Sequence, residues 1–158
     1  MEFKASDEYW TMIRAYDRLK KISTDNGNSI SNTDARDAVR DFLTLCYHFK
    51  DWLKKDTSLT LTTNVEKYIS ASEALALAAD YCNAHKHAGL DGETRSGKQL
   101  EKINTHIRMD LTPRGFVTSS TLELTISGQK YDAFTLATKC LAEWEIYLAQ
   151  NDIVFPQP

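Results

Sequence analysis

The chain has 158 residues, 42% of them apolar, enough for a single domain over residues 1–158 to bury one sizeable core without help from metals or disulfides. Its formal net charge is -3 with a pI near 5.8, and Lys and Arg are spread along the sequence, which excludes a general DNA or RNA binder. Residues 1–20 mix acids with aromatics, and no apolar run approaches the roughly 20 residues of a membrane span, so a cytoplasmic protein without membrane contact is expected.

Ser6 reads as the cap of a first helix, with Asp7 and Glu8 beside its positive end and Tyr9, Ile13, Tyr16 and Leu19 at helical spacing up to about Ile22. The polar stretch Ser23–Ser31 is a loop. A second helix follows, in which Ala35, Ala38, Val39, Phe42, Cys46, Phe49 and Leu53 recur at three- and four-residue steps and must pack into a bundle. Thr63 with Glu66, and Ser70 with Glu73, repeat a capping-box pattern, which predicts a short helix running into a longer one. The longer piece is rich in Ala and ends at Gly89.

The period then changes from about 3.6 to 2. Ile103, Thr105, Ile107, Met109 and Leu111 alternate with polar residues, Pro113-Arg114-Gly115 makes a turn, and Leu122, Leu124 and Ile126 read as a return strand. The expected fold is therefore mainly α: a bundle of four main helices with a β-hairpin, about residues 100–127, inserted before the C-terminal helix. Two strands alone are marginal, so one face should lie on the bundle or pair with another chain. Asp132 caps the last helix, whose buried face is Phe134, Ala137, Cys140, Leu141, Trp144 and Leu148, and residues 152–158 read as a flexible tail.

Cys46, Cys82 and Cys140 each sit in an apolar helical pattern, as reduced core thiols do. Cys82, His85 and His87, with Cys46 and His48, contain soft ligands but no CxxC or HxxxH pair, so no metal or cofactor is expected. Gly92-Glu93-Thr94-Arg95-Ser96-Gly97-Lys98 has the glycine and lysine spacing of a phosphate-binding loop. Gln99 stands where a Ser or Thr should hold magnesium, and the segment joins a helix to a strand rather than a strand to a helix, so it reads as a mobile glycine-containing loop.

Asp80, Asn83 and His87, at steps of three and four, share one helix face opposite the Ala71, Leu75, Ala78, Cys82 stripe. An imidazole that titrates near neutrality, an amide that orients a phosphate and a carboxylate that fixes the imidazole tautomer suit general acid/base work on a phosphodiester. The plain alternative is that Lys86 and His87 offset the helix dipole while Asp80 and Asn83 face water.

The strings Leu45-Cys46-Tyr47-His48-Phe49-Lys50-Asp51-Trp52-Leu53, Asp80-Tyr81-Cys82-Asn83-Ala84-His85-Lys86-His87 and Cys140-Leu141-Ala142-Glu143-Trp144 resemble small bacterial proteins with an N-x-x-K-H signature. These are similar in outline to the HEPN superfamily, helical bundles of prokaryotic toxin and phage-defence systems, many of them dimeric, metal-independent RNases. The resemblance implies a homodimer and a catalytic set in which His87 is the base, Asn83 and Lys86 contact phosphate, and Asp80 orients. The superfamily's motif arginine is absent, since positions 81–83 are Tyr, Cys and Asn, so Lys86, Arg95 or a second chain would have to supply the cation. Three readings stand: a possible RNase acting on RNA, a non-catalytic module holding a protein partner by this polar face and the hairpin edge, and a structural domain without ligand.

Overall fold

A computed structural model of the chain describes residues 4–24, 32–86, 94–98 and 100–158. The described elements run α1 (Ala5–Thr24), α2 (Asn32–Lys55), α3 (Val65–Ala71), α4 (Glu73–Lys86), β1 (Leu100–Thr112), β2 (Gly115–Ile126), β3 (Gln129–Asp132) and α5 (Ala133–Gln150). This is the expected helical bundle with a hairpin before the last helix, and a short third strand is added to it.

Ala35, Ala38, Val39, Phe42, Cys46, Phe49 and Leu53 of α2 are all buried, so its periodicity translates directly into packing. Trp144 of α5 fills the space they face. Its ring stands edge-to-face on Phe49 at 5.2 Å, and its indole N–H donates to the Cys46 carbonyl at 3.0 Å, which lets a large side chain be buried with its polar atom satisfied. Trp144 therefore belongs to the core of one chain rather than to a surface between chains. In α4, every residue from Ala74 to Cys82 is buried, so this helix is enclosed on all sides and not only along one stripe. Small alanines allow that close approach.

Three caps differ from the sequence expectation, each for a local reason. The start of α1 is closed by Asp56, whose carboxylate accepts from the Ala5 N–H at 2.8 Å across 51 residues, and not by Ser6. Burial alone would raise the Asp56 carboxyl, but hydrogen bonds from Ser58 and Ala5 outweigh it and hold it below its usual range. Asn64, not Thr63, caps α3 by accepting from the Lys67 N–H. Thr63 is already committed to α5, donating its N–H to the Asn151 side chain at 3.1 Å and accepting from the Tyr147 hydroxyl at 2.6 Å. Ser72 breaks the helix between α3 and α4 with extended backbone, φ -93° and ψ 117°, and its hydroxyl accepts from the Leu75 N–H. Asp132 caps α5 as expected, accepting from the Thr135 N–H at 2.7 Å.

The strands form an antiparallel meander in the order β1-β2-β3. β1 pairs with β2 from Leu100↔Ile126 to Thr112↔Gly115, with a shift of register between Leu100 and Lys102, whereas β3 covers only Glu123 to Ile126 of β2. Ser127 and Gly128, with φ of 48° and 75°, make the tight turn into β3, the positive pair that a two-residue hairpin requires. At the root of the hairpin Leu122, Leu124 and Ile126 are buried, and β2 lies against α1 and α5.

The expected flexible tail is docked instead. Ile153 is buried, Phe155 packs its ring at 5.4 Å from Tyr9 and 6.4 Å from Phe49, and the Trp10 indole N–H donates to the Pro156 carbonyl at 2.9 Å. Aromatic contacts of this kind outweigh the entropy of a short tail. Phe155→Ala is accordingly expected to lower stability by about 1–2 kcal/mol and the melting temperature by roughly 2–8 °C. A variant that melts with the wild type would show the tail to be loosely held after all.

Candidate functional site

Asp80 sits in the middle of α4 and is 3% exposed, so it does not present a carboxylate to solvent on a second polar face. Its Oδ1 accepts from the Arg95 N–H at 2.6 Å, and its Oδ2 accepts from the Ser96 N–H at 2.8 Å and from the Ser96 hydroxyl. Three donors on two oxygens satisfy the lone pairs that burial would otherwise leave without partners. Asn83, one turn further along α4, is half-buried, and Lys86 is the last residue of the helix. His87, the expected base, lies outside the described residues, as does Gly89. Of the four expected catalytic residues, Asp80, Asn83 and Lys86 are thus placed on one helix, and the partners of Asp80 are the Arg95 and Ser96 N–H groups and the Ser96 hydroxyl.

Those groups belong to the segment with phosphate-loop spacing. Among the described residues, 94–98 form a short strap, turned at Gly97 with φ 70° and closed by the Gly97 N–H to the Thr94 carbonyl at 3.3 Å. Successive N–H groups aimed at one point form an anion nest, and the anion here is the protein's own Asp80. The strap is therefore held and not a mobile loop. Its side chains add two more anchors. Lys98 Nζ reaches Glu73 and donates to the Tyr131 hydroxyl at 2.8 Å, tying α4 to β3. Arg95 turns toward α3.

Arg95 completes a cluster that the sequence did not announce. One Glu66 oxygen, Oε1, accepts from Lys50 at 2.9 Å and Lys54 at 2.8 Å, while Oε2 accepts from Arg95 at 2.9 Å. Asp51 lies against both lysines at 3.4 and 3.3 Å, and the Tyr47 ring carries the Lys50 ammonium at 4.8 Å and the Arg95 guanidinium at 5.8 Å. Burial alone would raise the Glu66 carboxyl, but hydrogen bonds from Lys54, Lys50 and Arg95 outweigh it and hold it at about 2. Lys50, Lys54 and Arg95 thus converge on Glu66, with Asp51 beside the two lysines. One signal was legible: Lys50, only 8% exposed, lies four residues after Cys46 on the apolar stripe of α2, where a charge has to find a partner.

Other chemistries find little footing. Cys82 donates to the Leu43 carbonyl, and burial pushes its thiol up to about 11. Cys140 donates to the Ala74 carbonyl and is pushed well above its ordinary value by its hydrogen bond with Cys46 and by burial, so both are poor nucleophiles. Among the described residues no three His, Cys, Asp or Glu side chains are grouped to hold a metal ion, and no helix is long and apolar enough to cross a membrane. Clefts of about 540 and 290 Å³ open beside Asp56 and Phe155 and beside Glu73 and Tyr131, and neither is lined by Asp80 or Asn83. No protein-family model matches the chain, and no curated protein or solved structure is significantly similar to it.

The depressed Glu66 carboxyl fixes the sign of a pH effect. The folded state favours the ionised form, so the stability this cluster contributes is present above pH 4.5 and is lost as the pH falls toward 2. Glu66→Gln should therefore melt below the wild type at neutral pH, and the two melting curves should converge as the pH is lowered through that window. A gap that stays constant down to pH 2 would contradict the cluster's ionic character.

Proposed function

We propose that this chain is a HEPN-like helical module of a prokaryotic toxin or phage-defence system, and that it works by holding a partner protein rather than by cleaving RNA. The family reading rests on the resemblance of the segments 45–53, 80–87 and 140–144, and a cytoplasmic location goes with it. The choice of activity rests on one observation, that the cations of the polar cluster beside α4 are engaged by a carboxylate of the same chain. Lys50, Lys54 and Arg95 all converge on Glu66, and Asp80 is closed by the strap. RNA gains most of its affinity from cations that release its counterions. A phosphate at this cluster would first have to displace Glu66. A protein surface makes no such demand, and the half-buried Asn83 near the end of α4 offers an amide suited to it.

One observation favours the alternative of a metal-independent RNase with His87 as base. The Asp80 clamp holds the Arg95 backbone against α4, whose own sequence lacks the motif arginine, while the guanidinium reaches Glu66 of α3. Asn83 and Lys86 would then contact phosphate, and Arg95 would have to leave Glu66 to join them.

The two readings part in one experiment. Generic RNA is incubated with the wild type, His87→Ala, Asn83→Ala and Arg95→Ala with metals chelated, and the proteins encoded beside this chain are co-expressed with it as candidate partners. The binding reading predicts cleavage no faster than buffer for all four proteins, and co-purification of a neighbour that Asn83→Arg weakens. Wild-type cleavage that drops about 100-fold in His87→Ala, with melting unchanged, would replace it by the nuclease reading.

A further inference from the structure

The chain beyond Asn151 forms no helix or strand, and it is held by the side chains it lies on. Asp152, at φ 55°, turns it out of α5, and the Ile153 N–H closes the turn on the Leu148 carbonyl at 2.9 Å. The Phe155 ring then packs against Tyr9 of α1 and Phe49 of α2, at 5.4 and 6.4 Å. Trp10, set edge-to-face on Tyr9 at 5.2 Å, donates its indole N–H to the Pro156 carbonyl at 2.9 Å. Pro156, Gln157 and Pro158 stay exposed, and so does Val154.

Proline-rich segments dock in aromatic-lined grooves because they are already extended and lose little entropy on binding. Pro156 and Pro158 fix their own φ at about -65°, and each keeps the residue before it, Phe155 and Gln157, out of the helical region. The tail is thus a preformed extended ligand, seated by one ring and one carbonyl. Its receptor, Tyr9, Trp10 and Phe49, comes from the other end of the chain, 146 residues away at the Trp10 hydrogen bond. The same ring and carbonyl presented by another chain meet the same partners. A cleft of about 540 Å³ opens beside Phe155, along Ser58, Leu59 and Thr60, and gives the flanking residues of a longer segment a place to lie.

We infer that the groove of Tyr9, Trp10 and Phe49 is a binding site for a partner segment in which an aromatic residue precedes a proline, with the chain's own Phe155-Pro156-Gln157-Pro158 as its tethered competitor. Held beside the groove, the tail acts at an effective concentration on the order of millimolar. A free segment with the same contacts therefore reaches the groove only in proportion to the time the tail is off it. The inference stands apart from the reading of α4, because it uses α1, α2 and the tail, and its test contains neither RNA nor a co-expressed neighbour.

Peptide titration of the full chain tests it. The probe is the peptide Val-Phe-Pro-Gln-Pro, acetylated and amidated so that its ends carry no charge, and the readout is the NMR signal of the Trp10 indole N–H. Phe155→Ala, whose tail has lost its anchor, should bind the peptide saturably and roughly tenfold or more tightly than the wild type does. Phe155→Leu keeps apolar bulk without the ring and should fall between the two, which keeps the test open if Phe155→Ala does not fold. Bound peptide should return the Trp10 signal of either variant toward its wild-type position, because the carbonyl contact is restored. A peptide with Ala in place of Phe should leave that signal unmoved. A folded variant that takes up no peptide, a wild type that binds it as tightly as the variants do, or an Ala-containing peptide that binds equally well would each overturn the inference.

Discussion

A carboxylate inside a helical bundle is tolerable only if donors fill its lone pairs, and Asp80 meets that condition with groups from outside its own helix. Because α4 is enclosed from Ala74 to Cys82, the side chain cannot reach water along the helix and must be met where it stands. The strap supplies two N–H groups and a hydroxyl, and that fixes where the chain can go after α4. From this point Arg95 is delivered to Glu66, and Lys98 to Glu73 and Tyr131, before β1 begins. The bundle and the hairpin are thereby registered against each other by one buried anion. Losing it would leave two backbone donors without an acceptor, which is more costly than losing a neutral contact.

The same constraint shapes what the molecule can do. Polar residues on a helix face invite a catalytic reading when they point into a cleft, but here the polar groups of α4 and its surroundings answer one another. Glu66 gathers three cations, and Asp80 gathers the strap. Such a surface is well suited to stable recognition and poorly suited to gripping a polyanion. Trp144, Phe49 and Cys46 hold the bundle below it, and Asp56 and Asn151 lock the two ends of the chain to the loops around α3.

Strong local periodicity was readable in the sequence, whereas contacts distant along the chain were not. α2, the Asp132 cap of α5 and the change of period into β1 depend on neighbours within a few residues, and they formed as the pattern implied. β3 escaped because Gln129-Lys130-Tyr131-Asp132 has no alternation of its own and is a strand only because β2 accepts it. The cap of α1 lies 51 residues away, so no window around Ser6 could reveal it. Residues 152–158 look polar and proline-rich in isolation, and only Tyr9, Trp10 and Phe49 give Phe155 and Pro156 a place. At the candidate site, helical spacing correctly put Asp80 and Asn83 on one helix, but it could not show that the strap would cover Asp80. The phosphate-loop spacing of residues 92–98 reads as a mobile loop in the sequence, because spacing alone cannot show that the backbone of Arg95 and Ser96 closes on an aspartate of the same chain.

The most direct test of this account is amide hydrogen exchange at Arg95 and Ser96, in the wild type and in Asp80→Ala. If the carboxylate holds the strap, both amides exchange slowly in the wild type and lose most of that protection in the variant, while amides of α2 and α5 keep theirs. Arg95 and Ser96 amides that exchange as fast as free chain in the wild type, or that stay protected without Asp80, would contradict it.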